Sequence, residues 1–97
     1  MRRIRELIRE DKKVYILLPN MTIQHRFMSD ATYEGIVYGD GVPATERPVE
    51  DIMSLRPDGT ICFLGWAGRM RSHYAAADSI KVDYEKYING AVDYIVE

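Results

Sequence analysis

The stretch Val14-Tyr15-Ile16-Leu17-Leu18-Pro19-Asn20 decides the fold class. Five consecutive apolar residues after Lys12-Lys13 predict a strand covered on both faces. Pro19 ends it because it lacks the N–H that a sheet ladder needs. Asn20 then stands where a helix N-cap belongs, its side-chain oxygen able to take a free amide of the first turn. Ile23, Phe27, Ala31 and Tyr33 recur at helical spacing, and Gly35 follows Glu34 as a left-handed stop, so a helix is predicted over 21–34. Ile36-Val37-Tyr38 is too short for another helix and reads as a strand, parallel to the first across a right-handed crossover.

Upstream, Ile4, Leu7 and Ile8 lie at i, i+3 and i+4, an apolar stripe on a short helix over residues 2–10. Glu6 and Arg9 are spaced on it for an i, i+3 contact. Downstream, Gly39-Asp40-Gly41-Val42-Pro43 and Pro48 break regular structure, so 39–50 is a long loop. Residues 51–55 and 60–66 flank Arg56-Pro57-Asp58-Gly59, a hairpin signal. The same region also fits a short helix from Pro48 to Leu55, with Pro-Val-Glu-Asp as its first turn. Residues 67–79 show no period and read as a second long loop, with at most one helical turn at Tyr74–Ala77. Ile80-Lys81-Val82-Asp83-Tyr84 alternates as a half-buried strand. The tail from Glu85 fits a short helix or an irregular end, with Asn89-Gly90 also suited to a hairpin turn. The expected fold is α/β or α+β, a small mixed sheet of about five strands near 14–18, 36–38, 51–55, 60–66 and 80–84 with one or two helices on it.

Ninety-seven residues suffice for a single domain, since two cores would each be too small to fold alone. Hydrophobic residues at 46% and charged residues at 29% exclude global disorder and collagen-like repeats. A formal charge of −2 gives no basic bias toward nucleic acid. One cysteine excludes a disulfide framework and a four-thiolate zinc site, and fits the cytoplasm. No apolar run approaches the roughly 18 residues that cross a bilayer, and the basic start lacks the apolar stretch of a signal peptide.

Catalytic chemistry is sparsely represented. His25 and His73 are the two histidines, 48 positions apart, and Cys62 sits in an apolar strand where a thiol is usually inert. The strand–helix junction Leu-Pro-Asn-Met-Thr lacks the glycines of phosphate-binding turns. Asp40 in Gly-Asp-Gly is expected to serve its own turn, as one carboxylate makes no metal site. No cofactor, metal or catalytic set is therefore expected. The suggestive residues are Trp66, Arg69, Arg71, His73 and Tyr74, which follow the apolar strand directly. Two arginines at i, i+2 flanked by aromatics can grip a phosphate, a nucleobase or an acidic protein surface. An antiparallel hairpin would bring the 39–50 loop, with Arg47, to the same end of the sheet, where open α/β sheets hold ligands. Arg47 could equally be paired with Glu46, Glu50 or Asp51 in its own loop.

Charge is unevenly spread. Arg2, Arg3, Arg5, Arg9, Lys12, Lys13 and Arg26 place seven of thirteen basic residues in the first 26 positions. Asp78, Asp83, Glu85, Asp93 and Glu97 make the last twenty residues acidic. The two ends could attract each other, within one molecule or between copies in a homodimer. Aromatics do not alternate with the basic positions, which argues against nucleic acid. Seven tyrosines exceed what so small a core needs, so several are expected to line a binding surface.

The segment Glu34-Gly35-Ile36-Val37-Tyr38-Gly39-Asp40-Gly41-Val42-Pro43, running on through Thr45-Glu46-Arg47 to Asp58-Gly59-Thr60-Ile61-Cys62-Phe63-Leu64-Gly65, resembles a family of short proteins of Firmicute genomes, prophages and mobile elements that carry no assigned activity. Ile-Arg-Glu-Leu-Ile and Lys-Lys-Val-Tyr near the start resemble the same family. The likeness implies a mobile-element setting and no reaction. Arg69 stands where a histidine is expected before the methionine of a Gly-x-x-Gly-His-Met-like segment, against a histidine-dependent activity there. The expected function is a non-enzymatic binding protein that modulates a host protein, as anti-defence inhibitors of phage do. The alternative is a binder of a small anionic or nucleotide ligand between the 39–50 and 67–79 loops.

Overall fold

A computed structural model describes residues 3–46, 50–63 and 79–96, without the side chains of Thr45 and Phe63. Five strands, β1 (Lys13–Leu17), β2 (Ile52–Leu55), β3 (Ile61–Phe63), β4 (Ser79–Asp83) and β5 (Ile95–Val96), form one mixed sheet in the order β3-β2-β1-β4-β5. Helices α1 (Met21–Tyr33) and α2 (Tyr84–Ile88) pack on it, giving an α+β fold. Two 3-10 turns, Ile4–Leu7 and Ala44–Glu46, complete the described elements.

β1 is the central strand, and its three middle residues Val14, Tyr15 and Ile16 are all buried. The sequence pattern of a strand covered on both faces is what the structure contains. Successive side chains of a strand point to opposite faces. Val14 and Ile16 therefore share a face with Leu55 and Met53 of β2 and with Ile80 and Val82 of β4, their partners in register. Ile23, Phe27 and Ala31 of α1 join that core, as the helical spacing predicts. On the opposite face Tyr15 and Ser54 stand side by side, 3% and 7% exposed.

Local signals place α1 correctly. The Asn20 Oδ1 accepts the Ile23 N–H at 3.0 Å. Gly35 has φ +72, and the N–H groups of Gly35 and Ile36 donate to the carbonyls of Thr32 and Ala31. This is the Schellman pattern, which needs a residue at ease in the left-handed region. Replacing Asn20 by alanine is expected to cost about 1 kcal/mol, read as a lower urea midpoint at unchanged slope.

The hairpin reading holds over that of a short helix. β2 and β3 pair antiparallel with Leu55 opposite Ile61. Gly59 at φ +88 and the Arg56 N–H donating to the Thr60 carbonyl at 2.9 Å close the turn. The Asp58 carboxylate accepts from both the N–H and the hydroxyl of Thr60, which holds its pKa below the ordinary value.

Other expectations are corrected. Residues 36–38 do not lie beside β1. Tyr38 makes a single parallel bridge to Ile61 at the far edge of the sheet, and Val37 bridges back to Pro43. That segment runs in the expected direction, but both edges of β1 are taken by β2 and β4. The apolar spacing at the start forms a 3-10 turn, not a helix over 2–10. Ile4 and Leu7 are fully buried, while the chain turns extended at Ile8. Side chains at i and i+3 eclipse in a 3-10 helix, so this pair alone defines the buried face. The strand expected at 80–84 gives up Tyr84 to α2, because the Asp83 carboxylate caps the Lys86 N–H. Asn89-Gly90 ends α2 with Gly90 at φ +85, and the tail returns as β5 beside β4. The 39–50 loop is anchored where its 3-10 turn inserts Ala44 into the core.

Candidate functional site

The register of the sheet brings several chain junctions to one end. Leu17 lies opposite Ile52 on one side and Asp83 on the other. Met53 lies opposite Phe63, so the chain enters β2 and leaves β3 at neighbouring points. The Leu18 N–H donates to the Asp51 carbonyl at 2.7 Å, fixing this entry point against the turn into α1. On the other side the Asp83 N–H donates to the Tyr94 carbonyl at 2.8 Å. The carboxyl end of β1 is thus a rim made by the starts of α1, α2 and β2 and the end of β3.

The hairpin thus sets the chain's entry to β2 beside its exit from β3. Arg47, Trp66, Arg69, Arg71, His73 and Tyr74, the residues singled out in the sequence, lie outside the described residues, as does most of the predicted 67–79 loop. The structure places the chain ends that lead to them. At the rim itself it shows Glu50 half-buried, Asp51 exposed and Asp83 half-buried.

Other sequence candidates resolve into structural roles. The Asp40 Oδ1 accepts the Val42 N–H at 3.3 Å, serving its own turn as expected. Cys62 lies on the edge strand β3, half-buried rather than in the core. His25 is exposed on α1. Glu6 and Arg9 do not pair through their charges. Arg9 donates to the main-chain carbonyls of Glu6 and Ile8, and the Glu6 carboxylate accepts the Arg3 N–H at 2.9 Å and the Tyr87 hydroxyl at 3.3 Å. The Arg3 N–H holds the Glu6 carboxyl below its ordinary pKa against a smaller opposing effect of desolvation, and the Tyr87 hydroxyl adds a lesser lowering. Among the described residues no three His, Cys, Asp or Glu side chains are grouped as metal ligands, and no helix is long and apolar enough to cross a membrane.

The tyrosines depart most from expectation. Tyr15, Tyr38, Tyr84 and Tyr87 are buried, Tyr94 is half-buried against the core, and Tyr33 stands exposed. Tyr74 lies outside the described residues. Tyr84 meets Phe27 edge-on at 5.2 Å, and Tyr87 meets Tyr94 edge-on at 4.9 Å, geometries that aromatic quadrupoles favour. The Tyr84 hydroxyl donates to Asp30 at 2.6 Å, and the Tyr87 hydroxyl to the Arg3 carbonyl at 2.7 Å. Burial first, and then the Asp30 carboxylate, push the Tyr84 phenol well above the ordinary tyrosine range. These phenols act as fixed donors.

Sequence inspection missed Glu34. Its carboxylate accepts the N–H of Ile4 at 2.7 Å and of Arg5 at 3.0 Å, clasping the first 3-10 turn to the end of α1. Nothing local to Glu34 signals a partner thirty residues away. Arg3, Asp30, Tyr33 and Glu34 line a hollow of about 200 Å³ beside this clasp. Its two carboxylates already hold donors, Glu34 the two amides and Asp30 the Tyr84 hydroxyl and Arg26. No family model, no curated protein and no solved structure matches the chain.

Proposed function

We propose that this is a non-enzymatic cytoplasmic binding protein of a mobile-element setting, which holds and modulates a host protein at the rim. The observation that supports it is the pairing of Met53 with Phe63, which sets the entry to β2 beside the exit from β3. The connections bearing Arg47 on one side and Trp66, Arg69, Arg71, His73 and Tyr74 on the other therefore join the sheet next to one another. Arginine and aromatic side chains are the types that dominate protein interfaces. Their support here is a central sheet whose strand ends are fixed by main-chain hydrogen bonds at Leu18 and Asp83.

Melting the protein against nucleotides, cyclic nucleotides and simple anions separates this role from small-ligand binding. A protein-binding rim leaves the melting temperature unchanged across the panel. Stabilisation of about 2–4 kcal/mol at saturating ligand, lost on replacing Arg47, Arg69 or Arg71, would show a small anionic ligand instead.

A further inference from the structure

The outward face of α1 consists of Met21, Thr22, His25, Ser29, Thr32 and Tyr33, all exposed, with Arg26 on its flank. Met21 and Tyr33 are 69% and 79% exposed, two of the four large apolar side chains that stand exposed among the described residues. At about 100° per residue the six positions fall within an arc of roughly 120°, with His25 and Ser29 at its middle. The stripe has nearly the same chemistry from either end. A large apolar residue and a threonine stand at each end, and one polar residue lies on each side of the midpoint at Phe27.

A stripe symmetric about its midpoint suits a two-fold axis, because in such a contact residue i meets j and j meets i. Laid antiparallel against a second copy, α1 sets Met21 and Thr22 against Thr32 and Tyr33, and His25 against Ser29. Methionine sulfur packs favourably on a tyrosine ring. The small Ser29 allows the 8–10 Å spacing of packed helices. Charge does not oppose the contact. Arg26 is bound to both carboxylate oxygens of Asp30 at 3.1 Å, and the two-fold brings the two pairs to one flank where their charges sum to zero.

We propose that α1 is a homodimer interface, two copies packing antiparallel through Met21, Thr22, His25, Ser29, Thr32 and Tyr33. Because α1 starts at the rim, its antiparallel pairing puts the two rims at opposite ends of the dimer and leaves both open. Six residues a side is far below the roughly 20–30 of a standard interface, so the association is weak.

Sedimentation equilibrium of the full chain from about 10 μM to about 1 mM covers the range for so small a contact. The average mass should rise from 11.2 kDa toward twice that value. Ser29→Arg puts a long charged side chain at the midpoint, and Thr22→Arg puts one near each end. Each should weaken association at least tenfold with unchanged circular dichroism, and either variant suffices should the other misfold. In a Cys62→Ser background, an oxidised mixture of Met21→Cys and Thr32→Cys chains should cross-link mainly as the mixed pair. Monomer mass at every concentration, association that the folded arginine variants leave intact, or cross-linking dominated by Met21→Cys with itself would each overturn the proposal.

Discussion

Replacing Phe27 by alanine is expected to destabilise the fold by about 3–5 kcal/mol, the range for truncating a buried aromatic residue. Phe27 is fully buried at the middle of α1 and meets Tyr84 edge-on at 5.2 Å, so it joins the central helix to the start of α2. Tyr84 cannot follow it into the gap, because its hydroxyl is held by Asp30 at 2.6 Å. The cavity would therefore stay open, which places the cost toward the upper end of the range. For a domain of this size that lowers the melting temperature by roughly 12–40 °C. Domains of this kind have only about 5–15 kcal/mol in total, so partial unfolding at room temperature is within reach. A loss under 1 kcal/mol would mean that α1 does not bury this face.

The second large effect is expected at the start of the chain. Leu7→Ala should cost about 2–5 kcal/mol, and Ile4→Ala a similar amount. A short basic arm would lose almost nothing, since exposed substitutions rarely exceed about 0.5 kcal/mol. Here both side chains are fully buried. The Glu34 carboxylate accepts two amides of the turn, and the Tyr87 hydroxyl donates to the Arg3 carbonyl, so two distant parts of the chain converge on it. The two substitutions share a cavity, and their costs should not add. Urea titration measures both, and a Leu7→Ala midpoint equal to wild type would show the turn to be undocked.

What the sequence made legible was local. The Asn20 cap, the Gly35 stop and the Asp-Gly hairpin each depend on bonds that span only a few residues, and each formed as expected. The parallel neighbour of β1 is not local. Val14 pairs with Ile80, and no pattern around residue 14 distinguishes that partner from Ile36-Val37-Tyr38. Short apolar runs support a strand or a buried connection equally, and at Tyr38 one bridge is all that forms. The tyrosines misled because a phenol suits both a surface and a core that supplies an acceptor. Asp30 and the Arg3 carbonyl supply those acceptors, 54 and 84 residues away along the chain.

For the candidate site the balance is similar. Antiparallel pairing of β2 and β3 alone sets the entry to β2 beside the exit from β3, which is why this end of the sheet could be read from a turn signal and two apolar runs. Arg47, Arg69 and Arg71 themselves lie outside the described residues. Glu34, which organises the opposite end of the molecule, went unnoticed for the same reason.

That the rim holds a partner protein is tested most directly by affinity capture from a host lysate, followed by a mass measurement on the purified pair. The account predicts a stoichiometric complex with wild-type protein that weakens about a hundredfold or more when Arg69 and Arg71 are both alanine, as expected for losing about 3 kcal/mol from interface arginines. The melting temperature of the variant should equal that of wild type. A complex of unchanged strength with that variant, or turnover of a substrate by the protein alone, would contradict it.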